Sequence, residues 1–135
     1  MSIVKSPPPE NNKYKMEKYS VCMSVYKNDN TTDFAEAVIS IFKQTCPPDE
    51  IVLVVDGPVP AAMHDTIHTL KEKTGIMKVI QLEQNMGHAI ARQTGLEAAK
   101  NELCAVMDAD DISVPDRFEK QLKAFEEHPK VSVVG

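Results

Sequence analysis

What the chain lacks narrows its class first. It has no basic excess: 15 Lys and Arg stand against 20 Asp and Glu, giving a net charge of -5. General nucleic-acid binders and binders of anionic membranes carry basic patches, so both classes are disfavoured. No apolar stretch approaches the roughly 18 residues of a membrane span. The opening Met1 to Glu10 has no apolar centre, so it does not read as a secretory signal. Cysteine is scarce and odd in number, Cys22, Cys46 and Cys104, with no Cys-x-x-Cys spacing. That fits buried reduced thiols and a reducing compartment rather than a disulfide framework. Gly-x-Gly-x-x-Gly and Walker sequences are both missing, which disfavours a dinucleotide or P-loop site. His64 and His68 are four apart, but no Glu follows His64, so the zinc-protease pattern is missing and surface histidines are expected.

What is present is organised around Leu103 to Asp111. Leu103 to Met107 is a short apolar run suited to a strand buried on both faces. Asp108, Asp110 and Asp111 follow with no spacer. Two carboxylates about 4 Å apart repel by roughly 4 kcal/mol at an effective dielectric of about 20. Oxygen-only ligands on a turn suit Mg²⁺ or Mn²⁺, ions that usually accompany a substrate phosphate. The plainer alternative is a solvated turn that caps the next helix, with Asp111 as the acid near its start. Capping accounts for one carboxylate well and for three poorly.

The remaining chain reads as one domain. Residues 1–18 are polar, with three consecutive prolines, and are expected to form a flexible leader or an edge-wrapping arm. Tyr19 to Tyr26 is the expected first strand, followed by a polar loop over Lys27 to Asn30. Asp33 with Glu36 resembles a capping box. Phe34, Val38, Ile41 and Phe42 make one apolar helix face, and Cys46-Pro47-Pro48 stops the helix. Glu50 to Val55 is the clearest strand and ends in the turn signal Asp56-Gly57-Pro58. A helix with Met63, Ile67 and Leu70 on one face comes next, then a strand over Met77 to Leu82 and a loop over Glu83 to Gly87. Ala89 to Lys100 reads as a helix whose stripe of Ala91, Gly95 and Ala98 lets it lie close to a sheet. Arg92, near its start, reads in isolation as a solvent arginine. After the acidic turn, Ser113-Val114-Pro115-Asp116 signals a new helix with Ser113 as the cap candidate. Phe118, Leu122 and Phe125 form its apolar face, and Val131 to Val134 begins a fifth strand.

Strand and helix alternate throughout, which implies a parallel sheet with helices on both faces. Ligands of such sheets bind beyond the carboxyl ends of the strands, where strand order reverses. Tyr26, Asp56 and Asp108 each follow a strand and are expected on one rim. Cys22 and Cys104 are expected on neighbouring strands, reduced and close together.

These segments resemble, in order, those of a family 2 glycosyltransferase with the GT-A fold. The resemblance runs over residues 19–135 and covers the nucleotide-sugar-binding half of such a domain. Ser20 to Tyr26 resembles the first strand and its loop, and Val54-Val55-Asp56-Gly57 the acid after the second. Asn85 to Gly95 resembles the Asn-x-Gly-x-x-x-Ala-Arg-Asn-x-Gly segment, with Gln93 in place of Asn. Asp108-Ala109-Asp110-Asp111 resembles the Asp-x-Asp motif, and Pro115 with Arg117-Phe118 continues it. The resemblance implies a GT-A, Rossmann-like three-layer α/β sandwich with a mainly parallel sheet, truncated at its carboxyl end. It implies binding of a nucleoside-diphosphate sugar, a UDP-sugar in the first instance, through Mn²⁺ or Mg²⁺. Tyr26 would border the base, Asp56 would accept from a uracil ring nitrogen, and Arg92 would face the nucleotide. Asp108 would bind ribose or support the metal, Asp110 would ligate it, and Asp111 stays open between supporting it and capping a helix. The implied reaction is inverting sugar transfer to a glycan or lipid-linked acceptor in polysaccharide biosynthesis, in the cytoplasm or at the inner face of the membrane. The family's general base lies well past the fifth strand, so it is expected beyond Gly135 and the chain is expected to be a piece of a longer enzyme. The competing reading is a non-catalytic nucleotide-sugar-binding module.

Overall fold

The computed structural model describes residues 2–5, 18–127 and 133–134, with the side chains of 18–123. Its six strands are β1 (Ser2–Lys5), β2 (Ser20–Val25), β3 (Glu50–Val55), β4 (Met77–Gln81), β5 (Leu103–Val106) and β6 (Val133–Val134). Its four helices are α1 (Thr31–Phe42), α2 (Ala61–Thr74), α3 (His88–Ala98) and α4 (Arg117–Glu127). The sheet order is β4-β3-β2-β5-β1-β6. The four strands β4, β3, β2 and β5 are mutually parallel. β1 runs antiparallel between β5 and β6.

The expected leader therefore contributes a strand at Ser2–Lys5, and residues 6–17 lie outside the described residues. A four-residue segment ahead of a proline run carries no period of its own, and its strand character comes from pairing with Leu103–Val106. The expected fifth strand is described at Val133–Val134, while Val131 and Ser132 lie outside the described residues.

The chain steps outward from β2 to β3 to β4, then returns to place β5 on the other side of β2. Strand order thus reverses between β2 and β5, where a parallel sheet opens a crevice at its carboxyl end. β3 is buried along its whole length, as a central parallel strand covered on both faces should be. Alternate strand residues serve two cores. Val21, Met23, Val25, Ile51, Leu53 and Val55 join the larger core with Phe34, Ile41, Met63, Leu70, Phe118 and Leu122 from α1, α2 and α4. Cys22, Val52 and Cys104 face the other way, where Leu96 and Ala98 of α3 pack on them. The expected small-residue stripe explains this second layer. A Cβ at Gly95 would stand 3.5 Å from both Cys22 Cβ and Val54 Cγ2, so the helix already lies in van der Waals contact with the sheet. Cys22 and Cys104 are buried beneath it without a disulfide. The hydrogen-bonded Cys104 thiol and burial both push the Cys22 thiol up.

Three local expectations change. The α1 cap is Asn30, whose side chain accepts from Thr32 N at 2.9 Å and Asp33 N at 3.0 Å; Asp33 sits inside the first turn. Phe42 is exposed. At about 100° per residue it lies roughly 80° around the helix from Phe34, off the stripe that Phe34, Val38 and Ile41 share. Ser113 does not cap α4, which begins at Arg117. Gln44 holds that helix start instead: its side chain accepts from Phe118 N at 3.1 Å and donates to Val114 O at 2.7 Å. Phe118 and Leu122 are buried as expected, and the Phe125 side chain lies outside the described residues.

The opposite, amino-terminal end of the sheet carries a satisfied polar cluster. Glu50 is buried and accepts from Ser20 Oγ at 2.7 Å and Lys100 N at 2.9 Å. Asn101 Nδ2 donates to Asp49 at 2.6 Å, and Lys100 Nζ pairs with Asp49 at 3.5 Å.

Candidate functional site

A cleft of about 440 Å³ opens at the carboxyl end of the sheet. Its lining includes Tyr26, Asp29, Asp56, His88, Asp108 and Asp110. Tyr26 follows β2, Asp56 follows β3 and Asp108 follows β5 closely. The structure thus brings four of the five expected site residues to one cavity. The fifth, Arg92, does not line it. Arg92 is exposed on α3 and borders a smaller adjoining crevice that shares Ser24, His88 and Asp108 with the cleft. His64 and His68 are exposed on α2, and His68 pairs with Glu72 at 3.2 Å, as surface histidines do.

The acidic turn owes its shape to the alternation of its residues. Met107 and Ala109 are buried in the larger core, so Asp108 and Asp110 are turned out toward the cleft. Asp111 closes the turn. Its N–H donates to Asp108 O at 3.2 Å, and its Oδ2 accepts from Asp108 N at 3.3 Å. Asp111 therefore braces the turn and does not cap α4, which starts six residues later by sequence number. Oxygen atoms of Asp108, Asp110 and Asp111 all lie within 4.8 Å of one another. The donor set is carboxylate oxygen only, in an open cleft. That chemistry fits a hard divalent cation such as Mg²⁺ or Mn²⁺ and does not favour softer ions.

Asp56 has structural partners as well as access to the cleft. It is buried, and its two oxygens accept from Met86 N at 2.7 Å and Gly87 N at 3.2 Å. Gly57 follows with φ +88, and a Cβ there would stand 2.6 Å from Asn85 N. Only glycine permits this close approach at this backbone angle. The loop ahead of α3 is thereby clamped to the end of β3.

Two titratable side chains of the cleft, Asp29 and His88, are not among the expected site residues. Asp29 lies in the expected polar loop, and its Oδ2 accepts from Tyr26 N at 2.9 Å. Burial raises its carboxyl above the ordinary range, the Tyr26 hydrogen bond opposes this, and the charges of Asp110 and Asp108 add to the rise. His88 opens α3 and places Nε2 3.3 Å from Asp108 Oδ1. A carboxylate can only accept, so this contact requires the proton on Nε2. Its signal was a histidine directly after the Asn-Met-Gly loop, where a helix start faces the cleft.

A three-layer α/β sandwich with an acidic cleft where strand order reverses is the GT-A arrangement of glycosyltransferases. The chain belongs to glycosyl transferase family 2, whose model matches residues 20–135. It is 37% identical over 117 residues to the amylovoran biosynthesis glycosyltransferase AmsE of Erwinia amylovora, a match covering 87% of this chain and 44% of that protein. It is 36% identical over 102 residues to the Escherichia coli UDP-Gal:alpha-D-GlcNAc-diphosphoundecaprenol beta-1,3-galactosyltransferase, covering 76% of this chain and 37% of that one. The S. aureus TarS 1-349 structure in complex with UDP superposes with a TM-score of 0.69 at 26% identity, covering 83% of this chain and 33% of that one. The chain thus spans less than half the length of these curated relatives. Among the described residues no helix is long and apolar enough to cross a membrane.

Proposed function

We propose that this chain forms the donor-binding part of an inverting glycosyltransferase that takes a UDP-sugar with Mn²⁺ or Mg²⁺. The observation that carries this reading is the meeting of three carboxylates within 4.8 Å on the wall of a 440 Å³ cleft at the sheet's switch point. In this reading Asp110 and Asp108 hold the ion and Asp111 fixes the turn that presents them. A bound divalent ion stabilises the negative charge that develops on the departing nucleoside diphosphate.

The other side chains bind and orient. Tyr26 is 40% exposed at the cleft, enough free ring to border a base. Each Asp56 oxygen takes one backbone N–H and keeps a second lone pair, so Asp56 can accept from a ring N–H while holding its loop. Arg92, one turn along α3 from His88, supplies positive charge beside the nucleotide. The low mutual separation of the acids disfavours an anionic ligand arriving alone, so metal and diphosphate should strengthen each other's binding. The acceptor is a glycan or a lipid-linked glycan, in keeping with the named activities of the relatives, and the reaction takes place in the cytoplasm or at the inner membrane face. No described residue is assigned as the general base.

Calorimetric titration tests this directly. UDP should bind more tightly with Mn²⁺ than in EDTA, by about tenfold or more, and GDP should bind more weakly than UDP in both conditions. Equal UDP affinity with and without metal would contradict the proposal.

A further inference from the structure

We propose that His88 is a positioning residue for Asp108: it donates from Nε2 to Asp108 Oδ1 and so sets how Asp108 is presented to a divalent cation. This rests on the donor-site reading above. Asp108 needs such a device. Its side chain is 55% exposed, and the acidic turn fixes only its backbone, through the N–H that Asp111 accepts. An exposed carboxylate on two freely rotating bonds loses conformational freedom when it ligates, and a prior hydrogen bond reduces that loss. His88 Nε2 lies 3.3 Å from Oδ1.

The backbone from which His88 springs is itself held. Asp56 grips the N–H groups of Met86 and Gly87, and Gly57 packs against Asn85. The end of β3 thus anchors the start of α3, and His88 carries that anchor across the switch point to the acid that follows β5. The ring lines the main cleft and the adjoining crevice alike, which places it beside Asp108 rather than on the far wall. Hydrogen-bond partners of metal-ligating groups typically change metal affinity by 10–100-fold when removed.

The test uses the full 135-residue chain, titrated calorimetrically with UDP in Mn²⁺ and in EDTA, as wild type, His88→Ala and His88→Gln. The alanine variant should lose about tenfold in Mn²⁺-dependent UDP affinity. Its UDP affinity in EDTA and its melting temperature without ligand should be unchanged. The glutamine variant, which keeps a side-chain N–H donor, should recover most of the loss. An alanine variant as tight as wild type in Mn²⁺ overturns the proposal while leaving the donor site intact. Equal losses in Mn²⁺ and EDTA also overturn it, because His88 would then touch the nucleotide itself. A wild type with no Mn²⁺-dependent gain overturns both this role and the donor-site reading.

Discussion

The two ends of the sheet both gather acids and, apart from the buried and hydrogen-bonded Asp56, treat them in opposite ways. At the amino end Glu50 is buried and takes hydrogen bonds from Ser20 and Lys100 N, while Asp49 has Asn101 and the Lys100 ammonium. At the carboxyl end Asp29, Asp108, Asp110 and Asp111 line or brace an open cleft. No lysine or arginine pairs with any of these four among the described residues. Acids that serve the fold are matched with donors and cations, because a buried polar group without a partner costs on the order of 1–3 kcal/mol. Acids left crowded and open to a cleft make sense where a ligand supplies the missing positive charge. The same residue type thus carries two meanings, and what decides between them is partners and exposure.

Substitutions at the two ends should separate these meanings. The largest effect on stability is expected at Glu50. Glu50→Ala leaves the buried Ser20 hydroxyl and the Lys100 N–H without their acceptor, at a cost of about 2 kcal/mol. Thermal melts should fall by several degrees, with Mn²⁺-dependent UDP affinity unchanged in the folded variant. A Glu50→Ala protein that melts like wild type would erase the contrast.

A smaller and opposite effect is expected at Asp29. Its carboxyl is raised by burial, with Asp110 and Asp108 adding to the rise against the Tyr26 hydrogen bond and His88. A raised carboxyl means that the charged form is less favourable in the fold than in the unfolded chain. That cost is absent below the ordinary carboxylate range, grows as pH rises through it, and is complete above the raised value. Asp29→Asn keeps an oxygen for Tyr26 N and removes the charge. It should therefore stabilise the unliganded protein at neutral pH by less than about 1 kcal/mol. The gain should vanish as pH falls through the carboxylate range. A gain that persists at low pH would point to a cause other than charge.

Much of the site was legible because strands announce themselves and their ends carry the chemistry. Glu50–Val55 and Leu103–Val106 are apolar runs, and Asp56 and Asp108 follow them closely. The Gly95 stripe likewise foretold a helix lying against the sheet. What was missed depends on contacts between distant segments. Ser2–Lys5 is a strand through its pairing with β5, and nothing in its four residues demands it. Gln44 caps a helix that begins some seventy residues later, through a partner, Phe118, that stands 74 residues away in the chain. Asp56 clamps Met86 and Gly87 through bonds 30 and 31 residues apart. His88 gains its interest only from lying beside Asp108, which no spacing along the chain reveals.

If the acids crowd at the carboxyl end for a ligand and not for the fold, removing one should change the ligand-linked stability and not the unliganded melt. The most direct test is a set of thermal melts on wild type and Asp110→Asn, each without ligand, with Mn²⁺ alone, with UDP alone, and with both. Asp110 lies within 4.8 Å of its two acidic neighbours, so removing its charge should leave the unliganded melt unchanged or raise it slightly. In the wild type, Mn²⁺ with UDP at about 100 times the dissociation constant should add roughly 2.7 kcal/mol, a shift of several degrees, larger than the sum of the separate shifts. Asp110→Asn should lose that excess. A variant that melts several degrees lower without ligand, yet keeps the full combined shift, would show that Asp110 serves the fold and would contradict the account.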